Sequence, residues 1–135
     1  IVYGFPFGFF FGRLACGVVH DHIGALTTSP FGMEFPDNHF AAGVRHELGL
    51  YEAAYVALIA LVFWWLGKTK KHPGYFLGMF AVLYSPGRFA LDFLRNSDLK
   101  YQDARYGGLT PAQYGTIILF LSGITLLVAT RRSTR

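Results

Sequence analysis

Four polar side chains recur through one otherwise apolar stretch of the chain: Tyr84, Arg88, Asp92 and Arg95. At 100° per residue they fall within about 80° of arc, so a helix would carry them as one polar stripe. Ionised groups inside a membrane-spanning segment cost roughly 2.5 to 3.5 kcal/mol each at its centre, and they therefore face a partner or a wet cavity. Arg88 and Asp92 are spaced to satisfy each other as an i,i+4 ion pair, which alone would be a structural role. Asp92 neutralises only one of the two arginines, however, and the surplus positive charge calls for an anion. A guanidinium is a planar fork that bonds two phosphate oxygens at once, so the anion expected at this depth is a lipid phosphate. Pro86 and Gly87, just before Arg88, predict a kink that either opens a lateral pocket or adjusts helix packing.

Two further clusters carry reactive groups. The run Arg45-His46-Glu47-Leu48-Gly49-Leu50-Tyr51-Glu52 sets basic, acidic and imidazole groups together, and His46 suits a general base near neutral pH. The same run also reads as an anchor, with Glu47 and Glu52 complementing a helix N-terminus and Tyr51 lying at the membrane interface. From Gly12 to Gly24 the chain offers Arg13, Cys16, His20, Asp21 and His22. Two histidines flanking one aspartate, with no third nearby, are a weak ligand pattern, and no metal is expected. A thiol among apolar residues is usually inert, and the small residues here suit a close backbone approach.

These groups need a scaffold, and the composition says which kind. The chain is 53% hydrophobic, 18% aromatic and only 15% charged, against about a quarter charged in soluble domains. An all-α membrane protein is expected, a partial bundle forming one membrane domain over residues 1–135. Three transmembrane helices are expected at 48–66, 73–95 and 110–130, each near the roughly 20 residues that a bilayer requires. Residues 1–47 would supply the end of an upstream helix and a periplasmic or interfacial segment, the run 1–11 being too short to span alone. Because the chain begins at Ile1 without a signal-peptide pattern, it reads as part of a longer protein.

The net charge of +4 sits at the ends of apolar segments rather than along one polar face, which argues against nucleic acid. Lys68, Lys70 and Lys71, and Arg131, Arg132 and Arg135 in the tail, mark cytoplasmic ends, including the C-terminus. Residues 13–47, where Arg13 and Arg45 stand against Asp21, Glu34, Asp37 and Glu47, and residues 96–108 then face the other side. Thr110-Pro111-Ala112-Gln113 is a capping box with proline at the first helical position. One cysteine excludes an internal disulfide. Five histidines, His20, His22, His39, His46 and His72, all fall outside the expected spans, which disfavours haem.

In this order and spacing the clusters resemble the prolipoprotein diacylglyceryl transferase family over nearly the whole chain. Gly12 to Gly24 is similar to the family signature that begins Gly-Arg and closes on glycine. His46 through Glu52 resembles its His-Pro-Ser-Gln-Leu-Tyr-Glu box, and Tyr84, Arg88, Asp92 and Arg95 keep the spacing of its Tyr, Arg, Glu and Arg. Thr110 and Gln113 match its Thr-x-x-Gln entry to the last helix. The sequence departs from the pattern at Cys16 for asparagine, His20-Asp21 for Gly-Glu, Glu47-Leu48-Gly49 for Pro-Ser-Gln, and Asp92 for glutamate. The family's upstream His-Gly-Gly segment is absent from this stretch, so the piece alone is expected to be inactive.

The resemblance implies a multi-pass enzyme of the bacterial inner membrane that needs no cofactor. Its partners would be phosphatidylglycerol, membrane lipid and the signal peptide of a preprolipoprotein with its lipobox cysteine. It implies catalytic roles for Arg88, Arg13 and His46, and substrate binding by Arg13, Tyr84, Arg88, Asp92, Arg95, Tyr51, Glu52 and Asp21. The alternative it leaves is a catalytically inactive lipid-binding relative or scaffold of the same fold.

Overall fold

Runs of apolar residues interrupted by few charges fold, among the described residues, as four α-helices. The computed structural model describes residues 1–35, 41–100 and 103–132; Asp37, His39 and Arg135 lie outside them, and of Arg132 only the backbone is described. The helices are α1 (Phe5–Val19), α2 (Leu48–Leu66), α3 (Tyr75–Leu91) and α4 (Pro111–Arg132). Short 3-10 turns, Val2–Gly4 and Asp92–Leu94, precede α1 and follow α3. Among the described residues, three helical stretches are long and apolar enough to cross a membrane: Val2–Val19, Leu48–Leu66 and Pro111–Arg131. The described residues are thus mostly helical, with the length and composition of membrane-spanning helices.

Two segments differ from the sequence expectation. The opening run does not stop at residue 11 but stays helical to Val19; Arg13, expected to begin the segment on the non-cytoplasmic side, lies within the helix, where Glu52 of α2 faces it at 3.2 Å. The polar-striped segment, expected over 73–95, is α-helical only over the 17 residues of Tyr75–Leu91. Its start follows Gly74 in the left-handed region (φ 86°), and its end tightens into the 3-10 turn when Arg95 N–H bonds the Asp92 carbonyl at 3.4 Å. Adding α1 to the bundle keeps the alternation of charged ends. Gly67 packs against Tyr3 at one end, and His20 reaches Glu47 at the other.

Between α1 and α2 the chain forms a small antiparallel sheet where no regular element was expected. Its strands are β1 (Ile23–Leu26), β2 (Met33–Phe35) and β3 (Gly43–Glu47), in the order β1-β3-β2. Ile23 pairs with Glu47, Leu26 with Arg45 and Phe35 with Gly43, with an irregularity between Ile23 and Leu26. Ile23, Phe35 and Ala41 form its buried core, with Met33 and Leu99 packed against it. A bridge between Gly24 and Arg95 ties the sheet to the end of α3.

Small residues set the helix crossings. A β-carbon on Gly49 would lie 2.8 Å from the Gly17 nitrogen, and one on Gly123 would lie 2.9 Å from the Gly78 carbonyl oxygen. The α1/α2 and α3/α4 pairs therefore approach backbone to backbone, as helices do in lipid, where packing replaces the hydrophobic drive. Aromatic rings fill the seam between α1, α2 and α3: buried Phe63 meets Tyr3, Phe76 and Phe80, and Phe80 stacks on Tyr84 at 5.1 Å. That column ends at the first polar residue of the stripe.

Candidate functional site

The polar stripe of α3 meets charges from α1 and α2. Arg13 Nε lies 3.2 Å from Glu52 Oε1, and the Tyr84 hydroxyl donates to the same oxygen. Arg13 Nη1 also donates to His22 Nε2 at 2.8 Å, and its guanidinium lies 4.9 Å from the Phe9 ring centroid. Arg88 donates to Asp92 Oδ1, and Arg95 Nε lies 3.2 Å from that oxygen. The Thr110 hydroxyl donates to the other oxygen of Asp92, so the cap of α4 holds the carboxylate of α3. Gln113 N–H bonds Thr110 Oγ1 at 3.2 Å, and Thr110 N–H bonds Gln113 Oε1 at 3.0 Å, completing the expected capping box. Gln113 adds a bond to the Phe89 carbonyl.

Burial decides what these pairs need. Glu52 is 2% exposed and Asp92 0%, so both have lost their water and must be compensated by charge. Asp92 meets both arginines of its stripe, whereas the sequence assigned it to one. It still brings only one negative charge. Arg13, Arg88 and Arg95 thus face two buried carboxylates, and the third acid, Asp103 against Arg95, is 45% exposed. Arg13 Nε and Arg95 Nε are buried donors with no hydrogen-bond partner among the described residues. Each has its carboxylate oxygen at 3.2 Å but poorly aligned, and a phosphate oxygen in line with the N–H would be a better-placed acceptor.

Six of the expected residues therefore converge: Arg13, Glu52, Tyr84, Arg88, Asp92 and Arg95. His46, Tyr51 and Asp21 make no described contact with the three arginines. Strand alternation is the reason for His46: Arg45 and Glu47 on β3 are buried, and His46 between them is half-buried on the other side. The apparent cluster 45–47 is thereby divided. Glu47 accepts from Gly49 N–H at 3.3 Å as the N-cap of α2, a role worth about 1 kcal/mol, and it takes His20 Nδ1 at 3.0 Å. The second bond holds His20 in the left-handed conformation (φ 54°) that ends α1.

Arg45 serves the sheet. It bonds Asp98 through two nitrogens and donates to the carbonyls of Ala41, Ala42 and Gly24. Its guanidinium holds the Asp98 carboxyl below the usual carboxylate range, chiefly through the hydrogen bond. Asp98 and Asp103, like the grip of Thr110 on Asp92, carry no spacing signal that a sequence reading could use. The sequence offers His22 as one of two histidines flanking Asp21, with no signal that it meets Arg13.

Ligand atoms of Cys16, Asp21 and His22 lie within 4.8 Å of one another. Arginine only donates, so His22 Nε2 accepts from Arg13 and Nδ1 carries the proton toward Asp21. The imidazole is committed to this hydrogen-bond chain, and Arg13 would confront any added cation. Beside Pro86, between α3 and α4, is a lateral cavity of about 310 Å³ lined by Ser85, Pro86, Phe89, Thr116, Ile117, Phe120 and Leu121. Gly87 serves packing instead, since a β-carbon there would lie 2.1 Å from the Tyr55 ring. The cavity thus lies beside Pro86, while Gly87 permits the close approach of Tyr55 from α2.

The family model described as prolipoprotein diacylglyceryl transferase matches residues 1–129. A protein from Nitratidesulfovibrio vulgaris strain DP4, named phosphatidylglycerol–prolipoprotein diacylglyceryl transferase, is 36% identical over 123 residues, covering 90% of this chain and 46% of its own length. Relatives of the same name from the Miyazaki F strain and from Chromohalobacter salexigens are 39% and 30% identical over 128 residues. They cover 93% and 94% of this chain and 47% of their own lengths. The chain spans about half the length of the curated relatives it matches. With the paired arginines and carboxylates placed where three helices meet, this match over nearly every residue makes the chain a member of the prolipoprotein diacylglyceryl transferase family.

Proposed function

We propose that the chain belongs to an enzyme that transfers the diacylglyceryl group of phosphatidylglycerol to the lipobox cysteine thiol of a preprolipoprotein. The reaction is an S-alkylation at carbon. The thiolate sulfur bonds the glycerol carbon, the carbon–oxygen bond to phosphate breaks, and the electron pair leaves with glycerol phosphate. The thiol proton must go to a base, since thiolate is the nucleophile, and His46 is the candidate in this stretch. The observation that carries the reading is three guanidiniums facing two buried carboxylates and one exposed one, with the buried Nε atoms of Arg13 and Arg95 ion-paired at 3.2 Å but not aligned for a hydrogen bond. Arg88 and Arg13 are assigned to the phosphate, with Arg95 in support. Asp92 orients Arg88, and Tyr84 hydrogen-bonds the headgroup. The enzyme would sit in the bacterial inner membrane with the C-terminus in the cytoplasm, consistent with Lys68 against Trp64 and Lys71 against Tyr75 at one end of the bundle.

The test is transfer of labelled phosphatidylglycerol to a lipobox peptide by the full-length protein carrying Arg88→Ala or Arg88→Lys. Removing a preorganised donor from a developing oxyanion costs about 100-fold to 1,000-fold. Lysine, a point charge without the fork, should recover little of it. Full activity in both variants would overturn the assignment of Arg88. Lipid binding by the unaltered protein without thioether product would favour the inactive relative.

A further inference from the structure

Tyr51 and His46 stand apart from the arginine cluster and form an arrangement of their own. Strand β3 carries His46, the N-cap Glu47 turns the chain, and Tyr51 follows in the first turn of α2. The two rings meet edge to face with centroids 5.5 Å apart. The Tyr51 oxygen lies 2.8 Å from the Phe31 carbonyl oxygen and 2.9 Å from His46 Nδ1. A carbonyl only accepts, so the single phenolic proton goes to Phe31. With that proton committed, the phenolic oxygen can only accept from the imidazole, and Nδ1 must carry hydrogen.

We propose that Tyr51 is a positioning residue that holds His46 in the Nδ1–H tautomer, leaving the Nε2 lone pair as the proton acceptor. The neutral imidazole has one proton, and the bond made by one ring nitrogen sets the chemistry of the other. Nε2 has no hydrogen-bond partner among the described residues, and His46 is half-buried. The surroundings fix both ends of the relay. The Phe31 carbonyl sits in a turn held by Phe31 N–H on Ser29 Oγ at 3.2 Å, Ser29 N–H on Thr27 Oγ1 at 3.1 Å, and Gly32 N–H on the Ser29 carbonyl at 2.9 Å. The base of the histidine is pinned where β1 passes the end of α3: a β-carbon on Gly24 would lie 2.6 Å from His46 Cβ and 2.9 Å from the Leu94 carbonyl oxygen. Tyr51 thus acts on the acceptor nitrogen from the far side of the ring instead of touching a substrate. The assignment of the tautomer rests on hydrogen-bond logic alone; its use in deprotonating a thiol rests on the function proposed above.

The test is nitrogen NMR of the full-length protein with ¹⁵N-labelled histidine in lipid nanodiscs at neutral pH, with His46→Gln identifying the His46 signals. The expected result is a protonated Nδ1 and a pyridine-like Nε2. In Tyr51→Phe, which keeps the ring contact and removes the oxygen, the tautomer ratio should shift by about 2-fold to 10-fold, the factor set by one ordinary hydrogen bond. The transfer kcat should fall by a similar factor with KM for phosphatidylglycerol unchanged. A proton on Nε2 in the unaltered protein, or a ratio that Tyr51→Phe leaves alone, overturns the proposal. The spectrum gives its answer whether or not the protein transfers diacylglyceryl groups, so failure of this inference and failure of the transferase reading are separate results.

Discussion

Arg45 on the sheet and Arg88 in the bundle are both arginines paired to an aspartate, and the protein uses them in opposite ways. Arg45 spends nearly all of its donors: Nε on the carbonyls of Ala41 and Ala42, Nη1 on Gly24 and Asp98, and Nη2 on Asp98. Arg88 makes one hydrogen bond among the described residues, to Asp92, and neighbouring Arg13 and Arg95 each keep a buried Nε without one. A guanidinium has five N–H donors in a fixed fork. When its own protein fills the fork, as around Arg45, it is a clamp. When several forks converge half-filled on a shared carboxylate, there is room for another anion. The difference lies in how the donors are used, since both pairs appear alike as a charge count.

The largest effect expected from this contrast is at Asp92. Asp92→Asn removes the buried carboxylate that pairs with both Arg88 and Arg95. Breaking a buried pair from one side leaves uncompensated charge and costs about 3 to 5 kcal/mol. If the cluster is built to take an anionic headgroup, phosphatidylglycerol should restore part of that loss, because binding to the folded state alone stabilises it. Thermal unfolding of the full-length variant should then show a smaller deficit in phosphatidylglycerol nanodiscs than in phosphatidylcholine nanodiscs. Equal deficits would mean that the arginines are as self-contained as the clamp.

The corresponding change in the clamp is Arg45→Ala, which removes the arginine's buried bonds to the Gly24 and Ala41 carbonyls. Buried polar groups left unpaired cost about 1 to 3 kcal/mol, so unfolding should come earlier, by the same amount in either lipid. KM for phosphatidylglycerol should not change. A lipid-dependent deficit, or a raised KM, would place Arg45 with the cluster and remove the distinction.

The sequence made one half of this contrast legible and hid the other. Tyr84, Arg88, Asp92 and Arg95 belong to one helix, where a 100° step fixes who is neighbour to whom; their shared face needed no tertiary information. The Thr110 and Gln113 cap was legible for the same local reason. The run 45–47 misled because it looked like one cluster, whereas strand alternation sends adjacent side chains to opposite faces. The strand itself went unrecognised, being five residues long and rich in charge. Pairings such as Arg13 with Glu52, Arg45 with Asp98 and Thr110 with Asp92 join residues 18 to 53 positions apart. Only the fold can bring those together, and so the identity of the half-filled forks could not be read in advance. The reach of α1 past residue 11 is hidden for the same reason, since the counter-ion of Arg13 is Glu52 on another helix.

Acid gives the finest separation of the two regions. Asp98 lies outside the helices, and Arg45 depresses its carboxyl below the usual range, near 3.9 for an unperturbed aspartate. A depressed carboxylate contributes stability that is fully present above its unfolded value and is lost as pH falls through the lower folded value. The clamp should therefore hold from neutral pH to about 4 and release the segment 96–100 below it. With Asp98 41% exposed, solvent screening limits the gain to roughly 0.2 to 1 kcal/mol. Hydrogen exchange of these amides, corrected for the intrinsic pH dependence, should show protection falling by no more than about fivefold between pH 5 and pH 2.5. Asp98→Asn should start from the lower level and show no acid step, while the α3 amides around Arg88 keep their protection in both proteins. An acid step that persists in Asp98→Asn, or one that appears first in α3, would assign the weaker attachment to the buried cluster and reverse the comparison.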